Sequence, residues 1–294
     1  MKKIFNAISA AWRALPFTGD VRPRVSVLEL TGVIGAVGGG RKGLALSRLE
    51  KVIEEAFAPD GLDAVALAIN SPGGSPVQSR LILQKIRRLS EQKKVPVLAF
   101  IEDVGASGGY ILALAADEIY ADESSIVGSI GVISSGFGFH EAIARYGIER
   151  RVYTAGTAKS KLDPFQPEQD EDVEKLTILL GELHEQFIAL VNERRGSKLN
   201  PADGEDLFNG DIWVGPAAKK RGLIDGTAQL GEFLDARFGK TVKVKRYALD
   251  GGSLLKRLFS GDAAVIQSGV GPVFDADAMI GELESRAHWA RFGL

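Results

Sequence analysis

No cysteine occurs among the 294 residues. Disulfides, thiolate nucleophiles and cysteine-bound metals are therefore excluded. Histidine is scarce too: His140, His184 and His288 are the only three, and none lies in a metal-ligand spacing. A histidine-rich zinc site is not expected. A Ser-His-Asp triad requires one of the three to fold back onto a distant serine. An excess of one charge is also missing. Lys and Arg number 36 against 38 Asp and Glu, for a net charge of −2, so nothing calls for nucleic acid or another polyanion. The glycine-rich stretch Gly35–Gly43 contains a lysine, but no Ser or Thr follows it and the glycine spacing is not that of a P-loop. No cofactor is expected.

A long apolar run is the last absence. Residues 1–17 place Ile4, Phe5, Ile8, Ala11, Trp12 and Leu15 on one helical face, and the run is too short and interrupted to span a bilayer. Arg13 breaks any signal-peptide core. This basic amphipathic segment suits a membrane surface, and equally the protein's own body or another subunit. The expected location is peripheral on a bacterial-type cell membrane, or the cytoplasm. A chain without cysteine also suits a periplasm.

What is present reads as α/β. Val25–Ile34 is a strand, Leu46–Phe57 an amphipathic helix, and Ala64–Ile69 a fully apolar strand of the kind buried inside a parallel sheet. A helix over 77–92 and a strand over 95–101 follow, giving βαβ units with right-handed crossovers. Short strands are expected at 117–121, within 126–133, at 149–153 and at 241–247. A long helix is expected over 168–195, with Leu176, Leu179, Leu180, Leu183, Phe187, Leu190 and Val191 repeating at three and four. The organisation expected is an N-terminal segment (1–24), a catalytic domain (25–235) and a C-terminal extension (236–294).

Ligands in such sheets bind beyond the carboxyl ends of the strands. Two glycine turns lie there: Asn70-Ser-Pro-Gly-Gly74 and Gly105-Ala-Ser107-Gly-Gly-Tyr110. Glycine lets backbone approach a ligand closely, and N–H groups at a helix start bind developing negative charge. Ser107 is thus either a nucleophile beside an oxyanion hole or part of a turn that merely packs tightly. A serine nucleophile needs a base, and with histidine scarce a lysine is the natural candidate. Such a lysine must be buried enough to shed its charge. The apolar segment 126–133 offers a site, with Ser129 to orient it. Lys159 by itself reads as a solvated loop lysine, and Lys161 is its neighbour and rival.

The chain resembles the signal peptide peptidase A (protease IV) family of serine peptidases over about residues 25–228. The resemblance rests on Asn70–Gly74, Gly105–Tyr110, Val127-Gly-Ser129-Ile-Gly-Val132, Ala155-Gly-Thr-Ala-Lys159 and Trp213-Val-Gly with Gly222-Leu-Ile-Asp225. It implies a Clp protease/crotonase-like fold of stacked ββα units. It implies Ser107 as nucleophile, Lys159 as general base, Ser129 holding that lysine, and the Gly74 and Gly108 N–H groups as oxyanion hole. Hydrophobic peptide substrates, remnant signal peptides among them, and a membrane-associated homo-oligomeric ring are implied as well. Members often carry an N-terminal transmembrane anchor, where this chain has the amphipathic segment. The rivals are a crotonase-like acyl-CoA enzyme working with carboxylates, and a membrane-peripheral scaffold without turnover.

Overall fold

The computed structural model describes residues 22–35, 43–156, 159–249 and 286–293. The amphipathic segment 1–17 and most of the 35–43 loop lie outside them. Eight strands are ordered β6-β5-β3-β2-β1-β8, with a branch in which β4 pairs β3 and β7. They are β1 (Arg24–Thr31), β2 (Ala64–Ser71), β3 (Val97–Ala106), β4 (Glu118–Ala121), β5 (Ile126–Gly128), β6 (Ile212–Val214), β7 (Gly226–Thr227) and β8 (Lys243–Tyr247). All pairings are parallel except β5 with β6. The fold is α/β, as expected, with helices packed on a mostly parallel sheet.

Side-chain alternation decides how the sheet is covered. In β2, Val65, Leu67 and Ile69 face one core, and Ala64, Ala66 and Ala68 face the other. The large side chains meet α1 (Leu46–Phe57) and α2 (Pro76–Lys93) through Leu49, Ile53, Ile82 and Ile86, all fully buried. Each such side chain contributes roughly 1.5–3 kcal/mol. The alanine face receives Leu234 of α7 (Leu230–Phe238). There the rings of Phe100, Tyr120 and Phe233 pack together, with centroids 4.4 to 5.5 Å apart. β8 pairs with β1, so residues 243–247 belong to the main sheet, and α7 runs across position 235.

β3 is the pivot. Its first half pairs with β4 (Ile101 with Ala121), and its last residues pair with β5 (Ala106 with Gly128). One strand therefore serves both branches of the sheet and ends at Ala106, immediately before Ser107.

The remaining helices are α3 (Gly108–Ala113), α4 (His140–Arg145), α5 (Asp170–Arg195) and α6 (Gly215–Lys220). α5 carries Asp170, Glu171 and Asp172 in its first turn and Arg194 and Arg195 in its last, both favourable to its dipole. Its apolar stripe is as expected, but only its C-terminal half is packed. Phe187 and Val191 are buried, whereas Ile178 and Leu179 are exposed. The same holds for 131–165, where Ile133, Phe137, Tyr146, Ile148 and Tyr153 are exposed. The strand expected at 149–153 is absent, because Glu149–Tyr153 meets no strand to pair with. The strand within 126–133 stops at Gly128, where Ser129 takes φ of 52°.

Candidate active site

Parallel register sets Ser107 beside Ser129. Ala106 pairs with Gly128, the Ser107 N–H donates to the Gly128 carbonyl at 2.8 Å, and the next residue of each strand is a serine. Both serines have φ of 52°. A non-glycine residue is uncommon there, and such strain is held only where surrounding structure over-determines it. Here the Ser129 N–H donates to the Asp211 carbonyl at 2.7 Å, and the Ser107 carbonyl accepts from Ile111.

The second glycine turn packs backbone to backbone on the first. A Cβ on Gly73 would lie 2.8 Å from the Gly108 nitrogen and 2.9 Å from the Ser107 Cβ. A Cβ on Gly108 would lie 3.2 Å from the Gly74 nitrogen, and one on Gly109 would collide with the Ser71 carbonyl. The Gly73 carbonyl accepts from the Ile34 N–H at 2.8 Å. In a trans peptide the Gly74 N–H then points away from Ile34. Gly108 opens α3, so its N–H has no carbonyl within the helix.

These groups line a cleft of about 630 Å3. Ile111 and Val33 line it together with Ile133, and α5 adds Leu183, Phe187 and Leu190. No Asp or Glu is among the described residues lining it. The structure thus brings Ser107, Ser129, Gly74 and Gly108 together. Lys159 is not brought there within one chain. It is exposed on the loop before α5 and does not line the cleft. Lys161 is committed elsewhere, its Nζ lying 3.1 Å from Asp172 Oδ1. Of the histidines, His184 bonds the Ile130 carbonyl at 3.1 Å and His288, from residues 286–293, lines the cleft. Sequence reading named His288 only as one of three histidines that a triad would require to fold back, and it missed Arg80, Arg291 and the α5 wall. The α5 periodicity marked a buried face without saying what it faced.

Behind the cleft an ionic lock fixes α3. The Tyr110 hydroxyl donates to the Leu223 carbonyl at 2.7 Å, and burial pushes its phenol up, so it stays a donor. Arg195, almost fully buried, donates to the Gly222 carbonyl and to Asp225 at 2.7 Å. Arg194 donates to the carbonyls of Leu114 and Ala116 just beyond α3. Burial would raise the Asp225 carboxyl, but Lys198, the Ile119 N–H and Arg195 together outweigh it and hold it below the usual range. Asp225→Asn should therefore cost about 3 kcal/mol, since it strands the Arg195 charge; urea titration measures it. A depressed folded value means that the Asp225 contribution is intact above the ordinary carboxylate value of 3.8 and fades as pH falls below it. The gap between wild type and variant should narrow in titrations at pH 3 relative to pH 6.

Comparison with known proteins agrees with these motifs. A sequence model described as peptidase family S49 matches residues 90–243. A Brucella abortus protein titled Na(+)/H(+) antiporter NhaA is 46% identical over 93% of this chain and 37% of its own length. A putative protease, MJ0651, from Methanocaldococcus jannaschii is 33% identical over 59% of this chain and 55% of its own. A putative protease, slr0021, from Synechocystis is 32% identical over 76% of this chain and 75% of its own. The chain thus spans little more than a third of the Brucella relative and about half of the Methanocaldococcus one.

Proposed function

Because the chain belongs to peptidase family S49, we propose that it is a serine endopeptidase. Ser107 is the nucleophile and Lys159 the general base of a Ser–Lys dyad that cuts hydrophobic peptides, remnant signal peptides among them. What supports this reading is the strained Ser107 packed against the Gly73–Gly74 turn, with Gly74 and Gly108 lining the same largely apolar cleft.

The neutral Nζ of Lys159 takes the proton from Ser107 Oγ as the oxygen attacks a peptide carbonyl. The oxyanion forms between the Gly74 and Gly108 N–H groups, which cost no reorganisation because the backbone already holds them. The lysine ammonium gives its proton to the leaving amine and the C–N bond breaks. Water, deprotonated by the same amine, then attacks the Ser107 ester, releasing the acid and regenerating the serine. Ser129, beside Ser107, orients the lysine.

Lys159 reaches this position from a second copy of the chain. The arm that bears it exposes Phe137, Tyr146 and Tyr153, and exposed carbon on that scale marks an interaction surface. Docking the arm on a neighbour's cleft would cover those rings and withdraw the amine from water together. Repeated head to tail, such a contact closes a ring. Among the described residues no helix is long and apolar enough to cross a membrane. Peripheral membrane contact is assigned to residues 1–17 on their basic amphipathic sequence pattern.

A crotonase-like enzyme would need carboxylates, and none lines the cleft among the described residues. A fluorophosphonate probe separates the readings. It should label wild type at Ser107, leave Ser107→Ala unlabelled, and block cleavage of an apolar quenched-fluorescence peptide. No labelling together with no cleavage would favour the scaffold.

A further inference from the structure

The charge around the cleft is one-sided. Among the described residues that line it, Arg80, His288 and Arg291 carry or can carry positive charge, and none is acidic. Arg80 belongs to the main body. It is exposed on α2, and no carboxylate pairs with it among the described residues. Most other arginines of the body have a partner: Arg87 has Asp117, Arg221 has Glu205 and Arg237 has Glu118. Val77 and Arg80 are three apart and so share the α2 face that walls the cleft. Ile133 and the α5 residues Leu183 and Phe187 line the same cleft.

From the reading of Ser107 as nucleophile, on which this rests, we propose that Arg80 is a specificity-determining residue. It selects peptide substrates that carry a carboxylate side chain close to the scissile bond within an otherwise apolar stretch. An apolar cleft ranks apolar peptides weakly, since one methylene more or less changes affinity little. An unpaired guanidinium at its wall discriminates more sharply, through a charge-assisted and bidentate contact with Asp or Glu. It also repels Lys and Arg at the same position. Helix rise fixes the reach. Arg80 lies five residues beyond Ser75, about 7.5 Å along the axis. That equals about two residues of an extended peptide at ~3.3 Å each. A peptide laid along α2 from Ser75 would place the residue read within two or three positions of the scissile bond.

The test uses the full chain and a set of apolar quenched-fluorescence peptides. Each carries a single Asp, Asn or Lys, moved one position at a time across three residues on both sides of the cleavage point. At one position wild type should prefer Asp over Asn by about tenfold in kcat/KM, and Lys should be worst. The preference should shrink towards unity as salt is raised, because Arg80 is exposed. Arg80→Gln should flatten the series and Arg80→Glu should invert it towards Lys. Binding of the same peptides to Ser107→Ala protein, read by fluorescence anisotropy, should follow the same order. The inference is overturned if no position separates Asp from Asn. It is equally overturned if the preference survives in Arg80→Glu and disappears in Arg291→Gln, which would make Arg291 the reader. If wild type cleaves none of the peptides while the anisotropy order persists and inverts in Arg80→Glu, the catalytic reading fails and the role of Arg80 stands.

Discussion

Ser107→Ala and Lys159→Ala proteins, each inactive alone, should regain peptidase activity when mixed. Loss of a nucleophile or its base costs on the order of 10⁴–10⁶ in kcat when the two act as one unit. Each variant alone should therefore sit at background. Mixing rescues activity only if a site draws its serine from one copy and its lysine from another. In a random ring made from equal amounts of the two, half of the copies retain Ser107, and half of their donor neighbours retain Lys159. About a quarter of the sites are then intact, and activity should recover to about 25% of wild type. The rise from background should be at least a thousandfold, and stopped assays after co-refolding will read it.

The expectation follows from exposure and chemistry. Ser107 and Ser129 stand side by side in an apolar cleft, and Lys159 is exposed outside it. A water-exposed amine at neutral pH holds its proton, and burial disfavours the charged form. The chain alone gives Lys159 no such burial. A neighbour's cleft would. No recovery on mixing, with assembly shown intact by light scattering, would return the base to the same chain. His288 supplies the control, because it also lines the cleft. His288→Ala should keep wild-type activity, and its loss would move the base assignment to the imidazole.

Legibility in the sequence followed the range of the interactions involved. β1, β2 and α1 were readable because alternation and helical periodicity are local. The two glycine turns were readable because each is a contiguous run at a strand end. Their closeness was readable only as a consequence of the crossover rule, and the Gly73-to-Gly108 packing required the fold. Residues 149–153 have strand-forming side chains, yet a strand needs a partner, and the projecting arm offers none. α5 advertised an apolar face, but Ile178 and Leu179 on its N-terminal half are exposed. Lys159 shows the same limit most clearly. Its motif names a base, while its surroundings depend on a surface outside the chain. The Arg195–Asp225 lock joins residues 30 apart side chain to side chain, with the Gly222 carbonyl as a further acceptor, and no local pattern announces that. Arg80 looked like any helix arginine until the cleft wall was built.

Gly73→Ala should abolish catalysis while the protein remains folded. The position has φ of +105°, where an L side chain is strained whatever the space. That strain alone costs about 1–2 kcal/mol. The larger effect is local. The new methyl would sit 2.8 Å from the Gly108 nitrogen, 2.9 Å from the Ser107 Cβ and 3.0 Å from the Ala106 carbonyl. Two of these three are backbone atoms and the third is the root of the nucleophile, so no side chain can swing away. The turns must separate by several tenths of an ångström or more. Gly74 and Gly108 would then no longer present both N–H groups to one oxyanion. Losing one such donor costs about 10²–10³ in kcat, and displacing the nucleophile as well adds about 10². Gly61→Ala sets the baseline. Gly61 has φ of +68° and nothing within 4 Å of a Cβ, so it carries the backbone strain without the collision. Thermal melts should place the two variants within about 2 kcal/mol of each other. Only Gly73→Ala should lose turnover, and it should also lose fluorophosphonate labelling. Wild-type kcat in Gly73→Ala would mean that the two turns do not act as one catalytic unit. Equal loss in Gly61→Ala would mean that activity tracks stability rather than the geometry at Ser107.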